Sequence, residues 1–170
     1  MRALLLAMLL LCALPAWAGW RNDVVGARVV GEGQLRWLGL RIYTARLWSG
    51  SDPFSSEAPF ALQLDYHRSI SRERLAATSI DEIRRLFGGR YSEARLEGWR
   101  ARMLQAFVDV QAGDRIVGVF QPGVGARFYA GERLTADIAD PEFARAFFAI
   151  WLAPDTRDQA LRAQLLGSAP

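Results

Sequence analysis

Hydrophobic positions along this chain change their period twice, from two to near 3.6 and back, before a last apolar helix. Residues 34–48 alternate like a strand. Leu35 and Trp37 alternate first, and then Leu40, Ile42 and Thr44 fall on one parity and Arg41, Tyr43, Ala45 and Leu47 on the other. Gly39 predicts either two strands or one bulged strand. Before it, Arg28-Val29-Val30 closes a short first strand, and Gly31-Glu32-Gly33 reads as a turn. Residues 60–66 predict another strand, with Phe60, Leu62, Leu64 and Tyr66 facing one way.

The period then lengthens. Ser71 opens a helix whose apolar stripe is Leu75, Ile80, Ile83, Leu86 and Phe87, and Gly88-Gly89 stops it. A second helix is expected from Ser92 to about Val110, with Leu96, Trp99, Met103, Leu104 and Phe107 at near-helical spacing. Strands return over residues 114–120, 126–129 and 134–138, separated by glycine-bearing turns. Asp140-Pro141-Glu142 then starts a helix by cap, first-turn proline and dipole. Between Phe143 and Leu152 only Arg145 is charged, so that helix must be covered on most sides. Pro154 ends it, and a shorter amphipathic helix over residues 157–166 stops at Gly167. Strands, helices, strands and helices in blocks predict an α+β fold with a largely antiparallel sheet.

Composition adds an address. Arg2 precedes an apolar run from Ala3 to Leu14, Pro15 breaks it, and Ala16-Trp17-Ala18 offers the small residues of a cleavage site. Residues 1–18 therefore read as a signal peptide, removed after Ala18, and residues 19–170 as a single domain. The expected location is periplasmic or secreted. The one cysteine, Cys12, lies in the signal, so residues 19–170 have no disulfide, thiol nucleophile or thiolate metal site. A chain of roughly 150 residues buries enough surface to fold without such staples. No later stretch is apolar and long enough to span a bilayer. The net charge is only +3, and the basic residues, all arginine, are spread without a block, which argues against a nucleic-acid surface.

Several chemistries are set aside. His67 is the single histidine, so no histidine metal cluster can form, and no carboxylate run has calcium-loop spacing. There is no nucleophile elbow and no phosphate-loop lysine, and Gly31-Glu32-Gly33 lacks the third glycine of a dinucleotide loop. No cofactor is implied. What remains is a set of polar side chains within apolar strands: Arg36, Arg41, Tyr43, Arg46 and Tyr66. An arginine there keeps its head in water, pairs with a carboxylate, or points into a cleft at an anion. A tyrosine there either fills core space or donates to a bound oxyanion. Periodicity alone does not choose.

Four stretches together resemble a known family. They are Val30-Gly-Glu-Gly-Gln-Leu-Arg-Trp-Leu-Gly-Leu-Arg-Ile-Tyr-Thr-Ala-Arg-Leu-Trp48, Pro59-Phe-Ala-Leu-Gln-Leu-Asp-Tyr66, Phe107-Val-Asp-Val-Gln-Ala-Gly-Asp114, and the helix 141–152 with Leu165-Leu-Gly167. In content and order they resemble the bacterial chalcone isomerase-like proteins, over about Val24 to Gly167. The resemblance implies an open-faced β-sandwich, a large antiparallel sheet with helices packed on one face and a ligand cleft between. That family includes plant isomerases that close a flavanone ring and fatty-acid-binding relatives.

By resemblance, Arg36 is similar in placement to the arginine that meets the ligand's acidic group. Tyr43 falls where the isomerases have a threonine. Ser71 and Thr78 fall where they have a tyrosine and an asparagine, and Tyr66 or Tyr91 are possible substitutes. The expectation is an exported protein that binds a small apolar or amphipathic ligand such as a fatty acid through Arg36, Tyr43, Tyr66 and Thr78. An isomerase or intramolecular lyase, with Arg36 and Tyr43 as catalytic candidates, is one alternative. A partner-binding module whose cleft is filled by Trp37, Trp48 and Trp99 is the other.

Overall fold

The computed structural model describes residues 19–168; the segment 1–18 read as a signal peptide lies outside the described residues. Six strands form one antiparallel meander in chain order: β1 (Arg28–Trp37), β2 (Leu40–Ser49), β3 (Phe60–Tyr66), β4 (Arg115–Gln121), β5 (Gly125–Ala130) and β6 (Arg133–Ile138). Two helices, α1 (Arg72–Phe87) and α2 (Glu93–Ala106), are inserted between β3 and β4. Two more, α3 (Pro141–Leu152) and α4 (Gln159–Leu165), follow the sheet, and a 3-10 turn (Trp20–Asp23) precedes it. This is the α+β architecture the block pattern predicts.

Alternation in β3 divides the sheet into two faces. Phe60, Leu62, Leu64 and Tyr66 join the main core beneath the helices, while Ala61 packs on the opposite face with Trp20, Val24, Val117, Val119 and Tyr129. Gln63 and Asp65 share that second face, where Asp65 accepts from Arg46 (2.5 Å), Arg115 (2.5 Å) and Gln63 (2.7 Å). The helices lie on the first face. α3 lies on β4 and β5, α4 on β1 and β2, and α1 rests on α2 and α3.

Two sequence readings are corrected. Gly31-Glu32-Gly33 is no turn but part of β1, paired with Leu47, Arg46 and Ala45 of β2 across a bulge between Val29 and Gly31. Glycine is required there by α4: a Cβ on Gly31 would lie 2.5 Å from the Leu165 carbonyl oxygen. The actual turn is Leu38-Gly39, with φ of 49° and 77°. The second helix also stops earlier than its apolar spacing suggests, at Ala106. Phe107 is extended, and Val110 instead exchanges backbone hydrogen bonds with Ile70 (2.9 and 3.0 Å).

Helix α3 carries the core. Phe143, Ala144, Ala146, Phe147, Phe148 and Trp151 are buried, and its phenyl rings interlock with Phe60, Phe107, Phe120 and Phe128 of the strands and the α2–β4 link. Asp140 caps it, accepting from the N–H groups of Glu142 (3.1 Å) and Phe143 (2.9 Å). The same carboxylate accepts from the Trp99 indole (3.0 Å) and lies near Arg95 and Arg102, which ties α3 to α2. Burial works to raise the Asp140 pKa, but the Phe143 N–H, the Trp99 indole and the two arginines outweigh it and hold the carboxyl below its ordinary value. A depressed folded-state pKa contributes stability that is present above the unfolded value, about 3.9, and lost as pH falls through the folded value. The resistance of the wild type to urea should therefore weaken on acidification below about pH 4. Asp140→Asn, measured over the same series, should be less stable at pH 7 and lose less stability in acid.

Candidate functional site

A cleft of about 950 Å³ opens between the sheet and the helices, at the end of β1, β2 and β3 that carries the Leu38-Gly39 turn. Its volume is that of a small-molecule site. The interior is apolar and built by four segments: Leu64, Tyr66 and Ile116 from the sheet, Phe107 from the link after α2, Phe147 and Trp151 from α3, and Leu161 from α4. The rim is polar. Arg36, Ser71, Arg74, Thr78 and Arg157 line it and are exposed.

Two phenols sit side by side on the lining. Tyr43 and Tyr66 are register partners across β2 and β3, with ring centroids 5.8 Å apart in edge-to-face contact. The Trp151 indole donates to the Tyr43 hydroxyl (2.9 Å), which fixes that oxygen and leaves its own proton free to be donated. Among the described residues the Tyr66 hydroxyl has no hydrogen-bond partner. Burial pushes the Tyr43 phenol well above its ordinary value, against the Trp151 bond and with Asp158 and Glu82 adding to it. Burial, and then the neighbouring Tyr43, does the same for Tyr66. Both phenols are therefore neutral donors throughout the physiological range.

The charged groups divide into a tied set and a free set. Glu82 is held by Arg157 (2.6 Å) and Arg85 (2.9 Å), pinning α1 to the segment before α4. Burial opposes ionisation of Glu82, but these two guanidinium groups outweigh it and keep the carboxyl below its ordinary value. Arg36 bonds only to the Gln34 side chain (3.1 Å), and among the described residues neither Arg36 nor Arg74 has an acidic partner. A guanidinium without a carboxylate at the rim of an apolar cleft presents its donor fork to an anion.

The four residues singled out in the sequence, Arg36, Tyr43, Tyr66 and Thr78, all line this one cleft: two phenols within it, and Arg36 and Thr78 on its rim. Ser71 also lines it, but caps α1 through the N–H of Arg74 (3.2 Å). Tyr91 packs between Phe87 and Trp99, away from the cleft. His67 bonds to Thr44 (2.8 Å). The tryptophans expected to plug the cleft do not. Trp37 is exposed at its mouth, Trp48 packs against Trp20 on the other sheet face, and Trp99 lies between α2 and α3.

Sequence reasoning missed Arg74, Glu82, Trp151 and Arg157. A signal existed for the α1 pair, because Arg74, Thr78 and Glu82 recur at four-residue steps, a polar row beside the apolar stripe. Trp151 gave none, since in sequence it is one more apolar residue of α3.

Comparison with known proteins agrees with this architecture. The fold matches the crystal structure of the Arabidopsis thaliana fatty-acid binding protein AtFAP1 with a TM-score of 0.64, at 12% identity, over 83% of this chain and 87% of that one. An uncharacterized protein of Haemophilus influenzae is 27% identical over 168 residues, covering 98% of this chain and 78% of the relative. The family model described as chalcone isomerase-like matches residues 43–167, most of the chain and nearly all of the elements that build the cleft. This chain belongs to the chalcone isomerase-like family.

Proposed function

We propose that this protein is exported and binds a small amphipathic ligand with an acidic head, such as a fatty acid, in the cleft between sheet and helices. The observation that carries the reading is the pairing of an apolar interior of about 950 Å³ with two neutral phenols and an uncompensated Arg36 at its rim. The tail lies against Leu64, Ile116, Phe107 and Phe147, and the carboxylate meets Arg36, with Tyr43 and Tyr66 donating to its oxygens from within and Thr78 at the rim. The shared fold of a protein named for fatty-acid binding supports the ligand class.

Native mass spectrometry of protein purified from its own compartment, followed by denaturing extraction, tests the reading. A co-purifying acidic lipid is expected. For that lipid, Arg36→Ala should lower affinity about tenfold to a hundredfold, since a charge-assisted hydrogen bond contributes roughly 1.5–3 kcal/mol. Unchanged affinity in Arg36→Ala would remove the arginine from the site.

A second reading is an isomerase acting on a phenolic enone, favoured by the Tyr43 hydroxyl held in place by Trp151. Such a phenol is a positioned donor for a carbonyl oxygen. Chalcone turnover by the purified protein that disappears in Tyr43→Phe would establish it, and absence of turnover leaves binding alone.

A further inference from the structure

We propose that the β1–β2 hairpin tip docks on an anionic lipid surface and places the mouth of the cleft against it. Trp37, Leu38 and Leu40 are 64%, 79% and 46% exposed, a contiguous apolar group at the end of one hairpin. Internal packing does not account for them. Nor does the turn, because Leu38 has φ of 49° and is followed by Gly39 at 77°. That conformation suits asparagine or glycine, whereas a leucine in it is strained.

The charge on the hairpin beside the tip is of one sign. Arg36 and Arg41 flank it, both exposed, and between Glu32 and Asp52 the chain has no acidic residue. Arg68 lies close by, since the N–H of His67 bonds to the carbonyl of Ile42 (2.9 Å), and Arg74 stands on the same cleft rim as Arg36. Among the described residues none of these four arginines is in an ion pair. The nearby carboxylates are engaged elsewhere: Asp65 with Arg46 and Arg115 on the opposite sheet face, Glu73 with Arg72, Glu82 with Arg85 and Arg157, and Asp158 with the Leu161 N–H as the cap of α4.

A tryptophan and two leucines ringed by unpaired arginines match a membrane interface. The indole and aliphatic groups enter the headgroup boundary while the guanidinium groups meet lipid phosphates. A protein partner fits less well. A stable interface takes about 800 Å² from each side, and a convex two-residue turn does not present that much. Trp37 lines the cleft as well as the tip, so docking brings the ligand entrance to the bilayer. The docking inference itself stands on the tip, whereas its purpose, direct exchange of a lipid-like ligand, rests on the function proposed above.

The test is co-sedimentation of the purified protein with phosphatidylglycerol-containing vesicles and with purely phosphatidylcholine vesicles. The variant Leu38→Asn/Leu40→Gln is compared, because neither residue lines the cleft and asparagine suits the turn. Binding to the anionic vesicles is expected, weakened by salt. The variant should bind them about tenfold or more weakly while keeping its affinity for a soluble fatty acid. No binding to anionic vesicles, equal binding to both vesicle types, or an undiminished variant overturns the proposal. So does a Leu38-dependent dimer in sedimentation velocity, which would make a second copy the cover of the tip. Vesicle binding without fatty-acid affinity would leave docking standing and remove the ligand, and fatty-acid affinity without vesicle binding would do the reverse.

Discussion

Phe128→Ala is expected to cost about 3–5 kcal/mol of folding stability, the range for deleting a buried phenyl ring. Phe128 is 1% exposed, and its ring meets Phe107 (5.4 Å), Phe143 (6.2 Å) and Phe147 (5.1 Å) between centroids. It also fills space opened by Gly118, its register partner, where a Cβ would lie 3.3 Å from the ring. The cavity left would be bounded by rigid rings and a strand backbone, which cannot collapse into it. For a domain of this size the melting temperature should fall by about 6–20 °C, and Phe128→Leu should recover part of the loss. Phe128 does not line the cleft, so ligand affinity measured well below the midpoint should stay at the wild-type value. A midpoint shift of only a degree or two would mean that this aromatic cluster is not what holds α3 on the sheet.

Gly31→Ala should damage both stability and ligand retention. A Cβ at Gly31 would be well inside van der Waals distance of the Gln164 carbonyl oxygen and 2.5 Å from that of Leu165, and backbone atoms cannot rotate away. Helix α4 must lift from β1, with an expected cost of about 1–3 kcal/mol or more. Leu161 of α4, and Asp158 and Gln159 at its start, line the cleft, so lifting the helix opens that wall and should speed ligand dissociation. Gly33→Ala provides the contrast. Its Cβ would meet the side chains of Gln164 and Leu161, which can turn aside, so the loss should be smaller. Urea unfolding and ligand off-rates on the two variants decide the matter, and equal effects would show that the backbone contact at Gly31 is not the constraint.

These glycines also show where sequence reading stops. In Gly31-Glu32-Gly33 the residue types of a turn and of a closely approached strand are the same, and only the helix docked above tells them apart. The turn itself fell at Leu38-Gly39, where an apolar residue occupies a left-handed position that leucine rarely takes. The second helix ends before its apolar spacing does for a similar reason. Phe107 and Val110 keep helical spacing, yet Val110 is drawn into a bridge with Ile70, an interaction no local pattern reveals. By contrast α3 was legible from end to end, because its cap, first-turn proline, apolar body and closing proline are all local signals.

The candidate site divides along the same line. Arg36, Tyr43, Tyr66 and Thr78 stood out singly, as polar groups on strands and by resemblance, but nothing local says that they share a cleft. They do so because β2 and β3 pair Tyr43 with Tyr66, while α1, α3 and α4 pack around that end of the sheet. The free state of Arg36 and the tied state of Arg157 are likewise results of packing: Glu82 sits within reach of one and not the other.

The block order of strands and helices, the period of each and the apolar character of α3 are written locally in the chain. Those properties depend on neighbours a few residues away and on how much surface must be hidden. Packing between distant segments sets where the meander turns, which face of each strand meets helix, which arginines find carboxylates, and that the apolar surfaces leave a cleft rather than close it. The reason is physical: burial drives collapse without specifying partners, whereas pairing and cavity shape depend on contacts between residues far apart in the chain.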